Sequence, residues 1–215
     1  MFLPDGAVFP FRTQKENTVS QGMEALSNTD LLGLLVGSKT AEWMIRAAEG
    51  SLFKLLNGPM PACDAPARSK TKLQVAKELV RRSLAESMRY RDALSSPAIV
   101  RDYLRMTLAG REYEVFMVLF LDAQNRVISP EEMFRGTLTQ TSVYPREVVK
   151  RSLATNAAGV ILAHNHPSGV AEPSQADAML TRALKEALAL VDVRVLDHFV
   201  VAGTGVTSFA ERGML

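Results

Sequence analysis

Apolar positions in the first hundred residues recur at helical spacing. Ser27-Asn28-Thr29-Asp30 offers N-cap candidates, followed by Leu31, Leu32, Leu34, Leu35 and Val36, with Gly37 as a stop. Trp43, Ile45, Ala47 and Ala48 predict a second short helix closed by Gly50, and the breakers from Asn57 to Pro66 predict a loop. From Lys72 a longer helix carries Leu73, Ala76, Leu79, Val80 and Leu84 on one side and Lys/Arg on the other. Ser95-Ser96-Pro97 starts another, with Pro97 at its first position and Ile99, Tyr103, Leu104 and Leu108 along it.

The period changes at Gly110. Tyr113 to Leu121 is apolar on both parities, which predicts a central strand covered on both faces. Asp122-Ala123-Gln124-Asn125 is a turn, and Arg126-Val127-Ile128 begins the returning strand. Gly136-Thr137-Leu138 is a further short strand candidate. Pro145 opens a helix through Ala154, Ala158 to Ala163 is a short buried strand, a helix follows from Ser174, and a strand spans Val193 to Ala202. The expected fold is α/β (α+β), with a small helical domain over residues 1–94 and a mixed sheet flanked by helices over 95–215.

Composition changes this picture little. Hydrophobic residues make up 47% and charged residues 22%, as in an ordinary globular protein. The single cysteine, Cys63, excludes an intrachain disulfide and any zinc site built from several cysteines of this chain. No apolar run is long enough to span a bilayer, and the N-terminus lacks the basic start of a signal peptide, so the expected location is cytoplasmic. Charge is more informative. Residues 68–105 hold ten Lys/Arg against four Asp/Glu, while the whole chain has a net charge of only +2. Arg68, Lys70, Lys72 and Lys77 in that stretch suit either a phosphate-binding stripe or the solvated face of a helix.

Candidate chemistry gathers near the third predicted strand. Two of the three histidines lie in His164-Asn165-His166-Pro167, and Asp177 follows His166 by eleven residues. Imidazoles at i and i+2 leaving a strand can converge on one ion, and a carboxylate completes a ligand set suited to zinc. Ser174 to Asp177 reads as a capping box, which places Asp177 in the first turn of a helix. Three protein ligands leave a fourth zinc position for water, whose pKa the metal lowers to about 7. A general base is then required. Glu114 shares strand parity with Phe116, Val118 and Phe120, and Glu112 competes on the same parity.

His164-Asn165-His166-Pro167-Ser168-Gly169, Pro173-Ser174 and Asp177 resemble the signature of RadC-like proteins of the JAB/MPN (JAMM) metalloprotease family. Glu114-Val115-Phe116, Phe120-Leu121-Asp122, Gly136-Thr137-Leu138, Pro145-Arg146-Glu147 and Asp197-His198 follow the same order, and the resemblance covers about 95–215. It implies His164, His166 and Asp177 as zinc ligands, Glu114 as catalytic base and Ser174 as the donor to a tetrahedral oxyanion. His198, on a predicted strand, reads as structural and not as a ligand, and Asn165 either shapes the loop or the substrate groove or is a turn residue alone. The N-terminal segment is similar to a helix-hairpin-helix DNA-backbone binder. The resemblance is partial: Ala67-Arg68-Ser69-Lys70-Thr71-Lys72 stands where that motif needs a Gly-x-Gly turn for close backbone approach to a phosphate, and the added positive charge is left to hold phosphates through side chains.

Two functions follow as expectations. One is a zinc-dependent hydrolase of a peptide or isopeptide bond, with a peptide or protein-conjugate substrate. The alternative is a DNA-binding accessory protein in repair or recombination, with the metal domain as a scaffold. The two are compatible.

Overall fold

The computed structural model describes residues 22–58, 64–136 and 142–215. The chain divides into two compact units, one of Met1–Leu52 with Pro61–Leu73 and one of Phe53–Met60 with Gln74–Leu215.

In the first unit a single 3-10 turn, Met23–Ala25, precedes α1 (Asn28–Val36) and α2 (Ser38–Ala47). Ser27 is the N-cap of α1, its hydroxyl accepting from the Asp30 amide at 3.1 Å. Gly37 ends α1 at φ 93° and starts α2, a conformation that favours glycine. The second predicted helix therefore begins five residues before Trp43, because no breaker lies between Gly37 and the apolar series. Ala41 and Met44 are fully buried. Sequence reading missed α3, Leu52–Asn57, which is too short to show a period.

α4 runs from Ala67 to Tyr90 rather than from Lys72. The segment expected at the hairpin turn is its first turn and a half, because nothing from Ala67 onward breaks a helix and the Pro66 carbonyl accepts from Ser69 and Lys70. The Lys72 ammonium donates to the Leu35 carbonyl at 3.0 Å, and the Ser69 hydroxyl donates to the Val36 carbonyl. These satisfy carbonyls that the end of α1 leaves free.

In the second unit α5 (Pro97–Leu108) carries proline in its first turn, as expected. Gly110 then turns at φ 74°, where a Cβ would collide with the Asn57 carbonyl oxygen, so no other residue fits. β1 (Val115–Leu121), β2 (Val127–Arg135), β3 (Gly159–Asn165), β4 (Arg194–Ala202) and β5 (Gly205–Ser208) form one sheet in the order β2-β1-β3-β4-β5. All pairs are antiparallel except β3 with β4, which α7 (Gln175–Ala189) connects; α6 (Pro145–Ala154) precedes β3. β1 begins two residues later than predicted, leaving Glu114 just outside it. Thr137 and Leu138 of the extra strand candidate lie outside the described residues.

All seven residues of β1 are buried, and the two parities serve two cores. Val115, Met117, Leu119 and Leu121 pack with Tyr103, Leu104 and Leu108 of α5, while Phe116, Val118 and Phe120 pack with Val148 of α6 and Leu184 and Leu188 of α7. Each such side chain contributes about 1.5–3 kcal/mol through burial. The sheet is therefore the middle of three layers, and the residues around its β1/β3 end are held by strands that cannot shift without exposing a core.

Candidate metal centre

His164 and Asn165 are the last residues of β3, and the His166 amide continues the pairing by donating to the Val201 carbonyl at 2.9 Å. The chain then turns over Pro167 and Ser168, with the Gly169 amide bonded to the His166 carbonyl at 3.1 Å. That turn brings the Val170 carbonyl to His166 Nδ1 at 2.8 Å. A carbonyl can only accept, so Nδ1 carries a proton there and Nε2 faces the other way, towards His164.

The third side chain arrives from the start of α7. Both bonds of the Ser174/Asp177 capping box are present: the Asp177 amide donates to the Ser174 hydroxyl, and the Ser174 amide donates to Asp177 Oδ2 at 2.7 Å. The Ser174 hydroxyl donates to the same oxygen at 2.7 Å. Oδ2 is thus tied to the helix cap, while Oδ1 lies 3.2 Å from His164 Nε2. His164 Nε2 and His166 Nε2 are 3.0 Å apart, and His166 Nε2 is 3.4 Å from Asp177 Oδ2. The ligand atoms of His164, His166 and Asp177 all lie within 4.8 Å of one another, a grouping able to hold a metal ion.

The electrostatics agree with that grouping. Burial acts to raise the Asp177 pKa, but the adjoining His164 and His166 imidazoles and the Ser174 hydroxyl hold the carboxyl far below the ordinary carboxylate range. The His166 pKa is raised, chiefly by its bond to Asp177 against the opposing effect of burial, with the Val170 carbonyl and Glu114 adding to it. Burial pushes the His198 pKa well down, so that ring is neutral.

Glu114 is half-buried and Glu112 exposed. The β1/β3 register pairs Phe116 with His164, and the same alignment carried two positions outward sets Glu114 opposite His166. Asn165 holds this arrangement. Its side-chain oxygen accepts from the Val115 amide at 2.8 Å and its Nδ2 donates to the Tyr113 carbonyl at 3.0 Å, so one side chain brackets Glu114 on both sides. Asn165→Ala leaves the buried Val115 amide unpaired, and we expect a loss of about 1–3 kcal/mol in stability, read by urea denaturation. Asn165→Asp keeps the acceptor but sets a carboxylate oxygen against the Tyr113 carbonyl, and should also be destabilised.

Residues 94–214 match the RadC-like JAB domain family. The chain belongs to that family. Its relatives share nearly the whole length of this RadC-like JAB chain. A UPF0758 protein of Thiobacillus denitrificans is 56% identical over 212 residues, covering 94% of this chain and 95% of the relative. One from Chromobacterium violaceum is 52% identical over 212 residues, and one from Dechloromonas aromatica 52% over 214, each with the same 94% and 95% coverage.

Within this RadC-like JAB chain, the structure brings His164, His166 and Asp177 together, and it places Glu114 and Ser174 beside them. Sequence reading left Asn165 open; a single asparagine gives no sign of two bonds made fifty residues away. His198 is not one of the three grouped side chains. Its Nε2 lies 2.9 Å from His164 Nδ1, behind the group. The four cations expected on a phosphate stripe have separate places. Arg68 is exposed, Lys70 is half-buried, and Lys72 closes α1. Lys77, in the second unit, lines a cavity with Arg81, Tyr103 and Arg111, and burial followed by the Arg111 charge lowers its pKa. Among the described residues no helix is long and apolar enough to cross a membrane.

Proposed function

We propose that the chain is a zinc-dependent hydrolase acting on a peptide or isopeptide bond. The observation that carries this reading is the convergence of His164 Nε2, His166 Nε2 and an Asp177 carboxylate oxygen beside Glu114. A tetrahedral zinc with bonds of about 2.0–2.1 Å needs neighbouring donors roughly 3.3 Å apart. The 3.0 Å between the two imidazole Nε2 atoms and the 3.2 Å from His164 Nε2 to Asp177 Oδ1 lie near that value, and the second carboxylate oxygen, Oδ2, is 3.4 Å from His166 Nε2. His164, His166 and Asp177 would hold the ion, which supplies Lewis acidity and makes a water acidic enough to react near neutral pH.

The chain's own residues supply the rest. Glu114, opposite His166, takes the proton from the attacking water and returns it to the departing amine. Asn165 keeps that carboxylate in register. The Ser174 hydroxyl is committed to Asp177 Oδ2, which the Ser174 amide also serves, so rotation of the hydroxyl proton frees a donor for a developing oxyanion without leaving Oδ2 bare. A DNA-associated role has less support, since Lys72 and Lys77 each have a place within their own unit.

The test is zinc content by mass spectrometry, followed by hydrolysis of a panel of peptides and isopeptide-linked conjugates. About one zinc per chain with turnover of at least one linkage supports the reading; a wild-type protein that refuses supplied zinc ends it. The affinity should also depend on pH in a defined direction. In the metal-free protein His166 holds its second proton to higher pH than an ordinary imidazole, chiefly through Asp177, and zinc needs its Nε2 bare. Apparent affinity therefore falls about tenfold per pH unit as pH drops below that raised pKa, each zinc releasing at least one proton. Chelator competition across pH 5–8 measures the slope, and a flat profile would contradict the proton assignment on His166.

A further inference from the structure

We propose that Thr181 and His198 form a positioning pair that fixes the tautomer of His164, so that its Nε2 presents a bare lone pair to the other two donors. The inference rests on the metal reading only for its purpose; the proton arrangement stands in the metal-free chain.

The argument is an accounting of protons along one buried chain of contacts. The Thr181 hydroxyl lies 2.6 Å from the Asp177 carbonyl, which can only accept, so the single hydroxyl proton points there. The same oxygen lies 2.6 Å from His198 Nδ1 and has only lone pairs left, so Nδ1 must carry the proton between them. The His198 ring is fully buried and its two nitrogens meet the Thr181 hydroxyl and His164 and no carboxylate, which keeps it neutral and leaves Nε2 bare. That nitrogen is 2.9 Å from His164 Nδ1, so the proton of this bond belongs to His164 Nδ1. In the neutral ring of His164 the single proton therefore sits on Nδ1, which leaves Nε2, the atom that faces His166 and Asp177, as the donor.

The surroundings prevent an escape by ring rotation. Phe209 stacks on His198 at 4.8 Å between centroids, and Phe116 meets its edge at 5.7 Å. On the far side Asp197 accepts from the His198 amide at 2.7 Å and from the Ser208 hydroxyl at 2.6 Å, holding that stretch of β4 to the end of β5. Phe116 also lies parallel to the His164 ring. Both imidazoles are therefore fixed in place, and only their protons can move.

Thr181→Val keeps the shape and removes the acceptor. His198 Nδ1–H then has no partner, and the cheapest repair moves its proton to Nε2. That proton donates to His164 Nδ1 and drives the His164 proton onto Nε2, where it blocks the donor. Thr181→Ser restores the hydroxyl. With only three histidines, the imidazole nitrogens can be assigned in long-range proton–nitrogen spectra of the metal-free protein. We expect Nδ1–H on His164 and His198 in wild type and Thr181→Ser, and Nε2–H on both in Thr181→Val. Competition with a chromophoric chelator should show zinc affinity roughly 10–100-fold weaker in Thr181→Val and near wild type in Thr181→Ser. Nε2–H on His164 in the metal-free wild type overturns the proposal. So does a folded Thr181→Val with unchanged tautomers and affinity. Wild-type protein with the expected tautomers that takes up no zinc supports the pair and removes the metal reading.

Discussion

Glu114→Gln should keep about one zinc per chain and lower hydrolysis by roughly 10²–10⁴-fold, the usual weight of a general base. Glutamine has the shape of glutamate and still hydrogen-bonds, but it takes no proton at neutral pH. Glu114 is not one of the three grouped donors, so metal content should survive. The Asn165 bracket bonds to the backbone of Tyr113 and Val115, so the substitution does not disturb it. The loss should appear in kcat with KM little changed, as expected when the missing interaction acts only in the transition state. A variant with wild-type turnover would remove Glu114 from the role and move attention to Glu112.

The second large effect separates a ligand from a cap. Asp177 does two things at once: Oδ2 closes the capping box and Oδ1 faces His164 Nε2. Asp177→Ala should lose zinc binding and also destabilise the start of α7. Ser174→Ala removes the cap hydroxyl but leaves the carboxylate, so it should keep zinc while costing about 1 kcal/mol, or roughly 2–4 °C in Tm. Mass spectrometry for zinc and thermal denaturation of the metal-free variants read the two effects apart. Full zinc occupancy in Asp177→Ala would leave the carboxylate as a cap alone.

Much of this could be read from local patterns, and the misses have physical causes. The run from Tyr113 to Leu121 announced a strand covered on both faces, because an apolar parity on each side needs two cores. Pro97 and Pro145 marked helix starts, since a missing amide proton costs nothing in a first turn. Ser174-x-x-Asp177 gave both the cap and the direction of the carboxylate. Leu52–Asn57 and Gly205–Ser208 escaped because six and four residues are too few to show a period. Asn165, Thr181 and His198 escaped for another reason: their roles lie in contacts across 17 to 52 residues, and nothing local distinguishes them from a turn asparagine, a helix threonine or a strand histidine.

The parallel pairing of β3 with β4 has a consequence for the order of events in folding. Parallel neighbours need a crossover, and here the crossover is α7, which brings Asp177 at its first turn and Thr181 one turn later. His198 lies on the strand that α7 delivers. The support behind His164 is therefore incomplete until a non-local pairing, among the slower steps available to a chain, has closed. A half-folded molecule holds all three donors within residues 164–177 but lacks the ring that backs His164, so the tightest capture of an ion would mark the finished domain.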